Sequence, residues 1–419
     1  QSEKTTRGNY YQNIMLSSLK KLGPGLLFAG AAIGVSHLVQ STRAGADFGL
    51  GLLWALLLVN LFKYPFFQFG PRYASATGES LLDGYNKLGK GVLIAYFILS
   101  LATMFTIQTA VTIVTAGLAA NLFGITTNPI IWSVIITFIC FILLVFGKYK
   151  LLDNLMKVII ITLSISTIIA LIVAKLNTDV AISFLQVIPK GTVEVGFLIA
   201  FLGWMPAPLD VSIWQSLWAI EKQKDKRTEF NPKQAIFDFN IGFATTLFLG
   251  VCFVALGAIV MYNSNETFSN SAVVFSQQLI NLYTTNLGAE MYIFIAIAAF
   301  TTMFSTTLTT LDASPRAMTK TMELLQNKEI KNAYWFWILF LAVGTISILV
   351  FFMSEMGILI KIATILSFLT APFFAIINFI LISGKHTPLA WRPSIYFKIL
   401  SWVGIIFLIG FSCWFISSL

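Results

Sequence analysis

Two stretches decide how this chain is read: Gly30-Ala-Ala-Ile-Gly-Val-Ser-His37 and Gly203-Trp-Met-Pro-Ala-Pro208. Each falls in the middle of an apolar run long enough to cross a bilayer. Pro206 and Pro208 carry no amide hydrogen and block a continuous helix. Glycine in such a run serves either tight helix packing or a break. Unpaired backbone at membrane depth survives only where protein buries it or where it lines a cavity. Two interrupted spans at matching places in two halves of a chain form the pattern of an inverted-repeat transporter, with the site at the breaks.

Composition sets the surroundings of these stretches. The 419 residues are 57% hydrophobic and only 11% charged, and the mean hydropathy is +0.83. A soluble domain carries about 25% charged residues. Apolar runs of membrane-crossing length recur throughout and predict spans at 22–44, 49–73, 90–122, 129–147, 151–175, 193–219, 234–261, 288–313, 334–354, 358–383 and 395–417. The intervening segments, including 78–89 and 262–287, read as polar loops. The expected fold class is an all-α polytopic membrane protein of about eleven spans with spans 1 and 6 broken. Its expected divisions are a basic segment 1–21, a first five-helix repeat 22–192, a second 193–383 and an extra C-terminal helix 384–419. No small-residue cleavage site follows the first span, so it reads as retained.

The net charge of +9 raises the question of nucleic acid. Most of the 27 basic residues fall on the same alternate loops, such as Lys87 and Lys90, Lys222 to Lys233, and Arg316 to Lys331. The opposite loops hold few, such as Lys175 and Lys190. That asymmetry predicts a cytoplasmic N-terminus and an external C-terminus in the cell inner (plasma) membrane, and it excludes nucleic acid as a partner. Cys140, Cys252 and Cys413 show no metal spacing and read as core residues. No Ser-His-Asp set, HExxH or phosphate loop is present, so no enzyme is expected.

Gly23-Pro-Gly-Leu-Leu27, Phe48-Gly49, Leu52-Leu53-Trp54, Asn60-Leu61, Thr77-Gly78, Leu81, Met205-Pro206, Ser305-Thr306, Leu366-Ser367 and Pro372 together resemble the Nramp family of proton-coupled divalent-metal transporters, over roughly 20–385. The resemblance implies the LeuT-type 5+5 inverted repeat, with substrate between the unwound parts of spans 1 and 6. The chain departs from that family at the ligands. Where the family has Asp-Pro-Gly-Asn in span 1, Gly34, Val35, Ser36 and His37 stand here. Its Met-Pro-His in span 6 is Met205-Pro206-Ala207, and its second histidine falls at Ser212. Only Met205 persists of the family's ligands in these spans.

The substrate site is therefore expected at Gly34, Ser36, His37, Trp204, Met205 and Ala207, with Lys63 of span 2 near mid-membrane. Hard divalent cations call for carboxylate oxygens, and none is offered. Without the acidic ligand, half-helix N-termini favour an anion. A small inorganic ion is expected as cargo: an anion such as bicarbonate, with Mg2+ or Mn2+ as the alternative. His37 reads either as a neutral imidazole bonded inside the bundle or as a donor and proton carrier. Lys63 reads as a cavity charge or as a buried ion pair with Asp210, and Arg43 as a cavity charge or an interfacial snorkel. LeuT-type sodium symporters use span 8 hydroxyls, which suggests Ser305, Thr306 and Thr309, with Asp210, for coupled Na+ or H+. Glu79 and Asp83 read as solvated loop acids near Lys87. No cofactor is expected, and the chain is expected as a monomer in the lipid bilayer.

Overall fold

A computed structural model describes residues 24–146, 149–177, 183–223, 232–262, 267–352 and 355–418. The basic segment 1–21 and the loop residues Lys148, Lys224, Lys226 and Arg227 lie outside the described residues. All regular elements among the described residues are helical. Span 1 is α1 (Pro24–Ala32), a π-helical turn (Ser36–Ser41) and α2 (Thr42–Phe48). Next come α3 (Leu53–Thr77), α4 (Leu81–Leu88), α5 (Lys90–Phe123), α6 (Pro129–Phe146) and α7 (Tyr149–Leu176). Span 6 is split into α8 (Thr192–Trp204) and α9 (Val211–Gln223). The remainder are α10 (Pro232–Val260), α11 (Ala272–Leu287), α12 (Tyr292–Gln326), α13 (Ala333–Ser347), α14 (Met356–Ser383) and α15 (Ile395–Ser417).

Seven helices are individually long and apolar enough to cross a membrane. The two broken spans, α3 and α7 complete eleven crossings; the 25 residues of α3 reach about 37 Å at ~1.5 Å per residue. Two segments read as loops are helices instead. α4 starts at a capping box in which Ser80 and Asp83 exchange side-chain and backbone bonds. α11 buries Phe275, Leu279, Ile280, Leu282 and Tyr283 against its neighbours. Both are too short and too polar for a hydropathy window to register. They follow spans 2 and 7, matching places in the two halves, which is what an internal repeat produces.

α6, α13 and α15 are peripheral. They expose Phe138, Phe336, Val343, Ile395 and Ile406 among other large apolar side chains, a surface suited to lipid and not to water. Cys413 shares that surface and is exposed, against the core placement expected from sequence, whereas Cys140 and Cys252 are buried. Its helix is an outer one, and hydropathy does not separate a lipid face from a protein face.

The central helices close on glycines. A Cβ added to Gly25 would lie 2.0 Å from the Asp238 carbonyl, and one on Gly242 2.0 Å from that of Gly25, so α1 and α10 touch backbone to backbone. Gly45 and Gly257 do the same for α2 and α10. Small residues permit this approach, and dispersion rewards it. At the end carrying α4, ion pairs join Lys320 to Asp83 at 2.9 Å, Lys87 to Glu79 at 2.5 Å and Arg316 to Asp312 at 2.8 Å. Asp83 is thus tied to α12, not solvated in a loop. Burial raises its carboxyl pKa, but the bonds from Ser80 and Lys320 outweigh that and hold it below the usual carboxylate value.

Candidate functional site

Each broken helix end leaves carbonyls or amides without intrahelical partners, and their partners define the site. At the end of α1, the Ala29 carbonyl accepts from the Ile33 amide and the Ala32 carbonyl from the Gly34 amide. Ala32 O also accepts the Ser36 hydroxyl at 2.5 Å, with His37 Nδ1 3.1 Å away. The Thr306 hydroxyl of α12 lies between the Thr302 carbonyl of its own helix at 3.2 Å and the Gly30 carbonyl at 3.4 Å. Gly34 permits that approach, since a Cβ there would fall 2.7 Å from Thr306 Oγ1.

His37 is wholly buried. Its Nε2–H donates to the Thr246 carbonyl on α10 at 2.9 Å, and its Nδ1 lies 2.7 Å from Ser36 Oγ. A carbonyl can only accept, which places a proton on Nε2. The ring faces α10, stacked edge-on to Phe253, so of the two sequence readings the structure takes the bonded one. Met205 lies on the same side. A Cβ built on Gly250 of α10 would be 3.7 Å from Met205 Sδ and 3.8 Å from His37 Cδ2.

The α8 end is served from α3. The Met205 amide takes the Phe201 carbonyl. Lys63 Nζ donates to the next two, Leu202 and Gly203, both at 2.7 Å, and to Ala207 at 3.3 Å. Lys63 is fully buried. It does not form the ion pair with Asp210 considered from sequence; among the described residues its contacts are carbonyls, and Asp210 acts on it only at longer range. Asp210 precedes α9, its carboxylate resting against the Val211 amide, and its Oδ1 is buried without a hydrogen-bond partner. A lysine at the negative end of α8 and a carboxylate at the positive end of α9 both match the helix dipoles.

Between the breaks lies a cavity whose water-accessible space is about 20 Å³. Ala31, Ala32, Val35 and Ser36 line it from span 1, and Trp204, Ala207, Pro208, Val211 and Trp214 from span 6. Ile107 and Val111 of α5 and Thr306 and Thr310 of α12 close it. Trp204 is held by its indole N–H on Ser367 Oγ at 2.9 Å. Thr310 donates to Gln108 Oε1 at 2.6 Å. Of the expected substrate residues, Ser36, Trp204 and Ala207 meet here, while Gly34 sits against Thr306. His37, Met205 and Lys63 are not among its lining. Of the coupling set, Thr306 reaches the cavity; Ser305 and Thr309 are buried on α12, and Thr309 Oγ1 has no hydrogen-bond partner. Ser212, at the family's second histidine position, accepts from Asn378 Nδ2 at 3.0 Å.

Trp214, Thr310 and Gln108 were missed from sequence. Gln108 was detectable, as an amide inside a membrane-length apolar helix. Trp214 was not, because aromatic residues recur all along the chain. Arg43 donates to the Ser269 carbonyl at 2.6 Å and lies over the Phe275 ring, so it ties span 1 to the segment before α11 and not to the cavity.

A bundle of crossing helices with two spans broken face to face around an internal cavity is the architecture of a secondary membrane transporter. Residues 25–418 match the family model described as natural resistance-associated macrophage protein-like. An uncharacterised protein of Pasteurella multocida is 34% identical over 96% of this chain and 93% of its own. The divalent metal cation transporter MntH of Staphylococcus saprophyticus is 25% identical, over 73% of this chain and 69% of its own. A histidine-to-alanine variant of the Eremococcus coleocola manganese transporter superposes with a TM-score of 0.74 at 15% identity, covering 96% of this chain and 87% of that one. Mhp1, a nucleobase-cation-symport-1 transporter, gives 0.57 at 13% identity over 95% and 93%. The protein belongs to the Nramp family, and it is a multi-pass membrane protein with that family's transporter fold.

Proposed function

We propose that this transporter carries a small monovalent inorganic anion, bicarbonate first among the candidates, coupled to Na+ or H+. The observation that supports this is the lining. The cavity's polar lining residues are Ser36, Thr306, Thr310, Trp204 and Trp214, with no carboxylate, imidazole, thiol or thioether among them. Among the described residues no cluster of His, Cys, Asp and Glu could hold a metal. A divalent cation stripped of water needs such ligands. The space within the cavity open to a water molecule is about 20 Å³, room for about one or two waters, so an ion held there is stripped of most of its shell. The Lys63 ammonium, one carbonyl behind the Ala207 wall, adds positive potential. The Thr306 hydroxyl on the Gly30 carbonyl and the unpartnered Thr309 hydroxyl are the groups expected to hold a coupled Na+. The basic residues of alternate loops support a cytoplasmic N-terminus.

The test is uptake of labelled bicarbonate into proteoliposomes under Na+, H+ and zero gradients, with Ser36→Ala and Thr306→Val alongside. Gradient-driven uptake lowered in both variants is expected; flat uptake under every gradient ends the reading. A second reading, transport of a hydrated Mg2+ or Mn2+, draws on family membership and the MntH relative. Quenching of an entrapped metal dye, without bicarbonate uptake, would select it.

A further inference from the structure

We infer that Lys63 is a tethered cation: its ammonium fills a monovalent-cation site built from the backbone carbonyls at the break of span 6. The last carbonyls of a helix have no partner within it. In α8 the first of these, on Phe201, is met by the Met205 amide. The next two, on Leu202 and Gly203, converge on Lys63 Nζ at 2.7 Å, and the Ala207 carbonyl beyond the break joins them at 3.3 Å.

Three carbonyl oxygens around a compact positive charge at a half-helix C-terminus are the ligand set with which broken transporter helices hold a free cation. Here the charge arrives on a side chain from the middle of α3. The three N–H bonds of an ammonium match three acceptors, and among the described residues no carboxylate contacts Nζ. The charge is therefore neutralised by carbonyl dipoles and the α8 helix end, not by an ion pair. A lysine kept for an ion pair would be expected to sit on Asp210.

The consequence holds whichever ion the cavity carries. The break keeps a fixed positive charge that is never transported, and the carbonyls of Gly203 and Ala207, on either side of Trp204 and Pro206, are held in register by it. Removing the side-chain head should leave an empty site that selects a free monovalent cation of similar size.

The experiment uses full-length Lys63→Ala, and Lys63→Met, which keeps most of the packed stem. Both are purified and melted in ammonium, potassium, sodium or choline chloride at matched ionic strength. Lys63→Ala is expected to melt below wild type in choline. Its melting temperature should rise with the logarithm of ammonium or potassium concentration, as ligand linkage requires, while wild type stays flat. Proteoliposome transport by Lys63→Ala should recover in the same salts, and Lys63→Met, its site partly filled, should respond less. Equal melts in all four salts overturn the inference. So does a Lys63→Ala protein as stable as wild type in choline, or failure of both variants to fold in every salt.

Discussion

Replacing Gly203 by alanine tests the packing that shapes the site. The added Cβ would lie 2.1 Å from the Thr364 carbonyl and 3.3 Å from Phe368 Cβ. The first contact is backbone, so no rotamer relieves it. Reaching an ordinary carbon–carbonyl approach of ~3.3 Å means parting α8 from α14 by about 1 Å. Overpacking of this kind costs about 1–3 kcal/mol, and here the clash is with a fixed group. The same shift moves the Gly203 carbonyl, which Lys63 holds at 2.7 Å; losing a hydrogen bond to a charged group costs about 1.5–3 kcal/mol. The gain in helix propensity offsets roughly 1 kcal/mol. The net expectation is a loss of about 1.5–5 kcal/mol. Transport should fall with it, because Trp204 is bonded to Ser367 across the same α8–α14 contact. Melts at one fixed scan rate in detergent give the comparison, with Gly410→Ala as control, since nothing lies within 4 Å of a Cβ there. A Gly203→Ala protein that melts with Gly410→Ala, at or above wild type, would refute the reasoning.

Trp204→Phe keeps an aromatic wall but loses the 2.9 Å bond to Ser367. A stability loss of about 1 kcal/mol is expected, with a larger change in transport KM than in melting temperature; an unchanged KM counts against this cavity as the site. Asp83 has its carboxyl held below the ordinary 3.8, so its contribution is present above that pH and fades as pH falls through the depressed value. Asp83→Asn should cost up to about 1 kcal/mol at neutral pH and nothing in acid, and a gap that widens on acidification contradicts the assignment. Of the three cysteines, Cys413 alone is exposed; an apolar maleimide should label it first in the folded protein, while prior labelling of Cys140 or Cys252 would show that the helix faces are misassigned.

Membrane-length runs, the two breaks and the family's order of motifs were legible in the sequence because each rests on local chemistry. Hydrophobic length decides whether a segment can cross, and the closely spaced Pro206 and Pro208 stop a helix where single prolines such as Pro65, Pro315 and Pro372 are carried inside one. The missing carboxylate at Gly34 to His37 was equally plain. The destination of side chains was not. Ser36, His37 and Met205 lie within a few residues of the breaks, yet Ser36 faces the cavity while His37 and Met205 face α10. That choice follows from a π-helical turn that rotates the residues after the break, and from the Thr246 carbonyl of α10, which holds the His37 ring. Lys63 was noticed as a charge at mid-membrane, but its partners are backbone carbonyls far along the chain, and every residue supplies a carbonyl. Only the fold brings two orphaned ones to the same point. The sequence by itself determined a broken-helix transporter pattern that keeps only Met205 of the ligands the family resemblance implies in spans 1 and 6. The tertiary structure decided which polar residues line the cavity, because it places Ser36, Thr306 and Thr310 there and bonds His37 and Lys63 to backbone carbonyls of neighbouring helices.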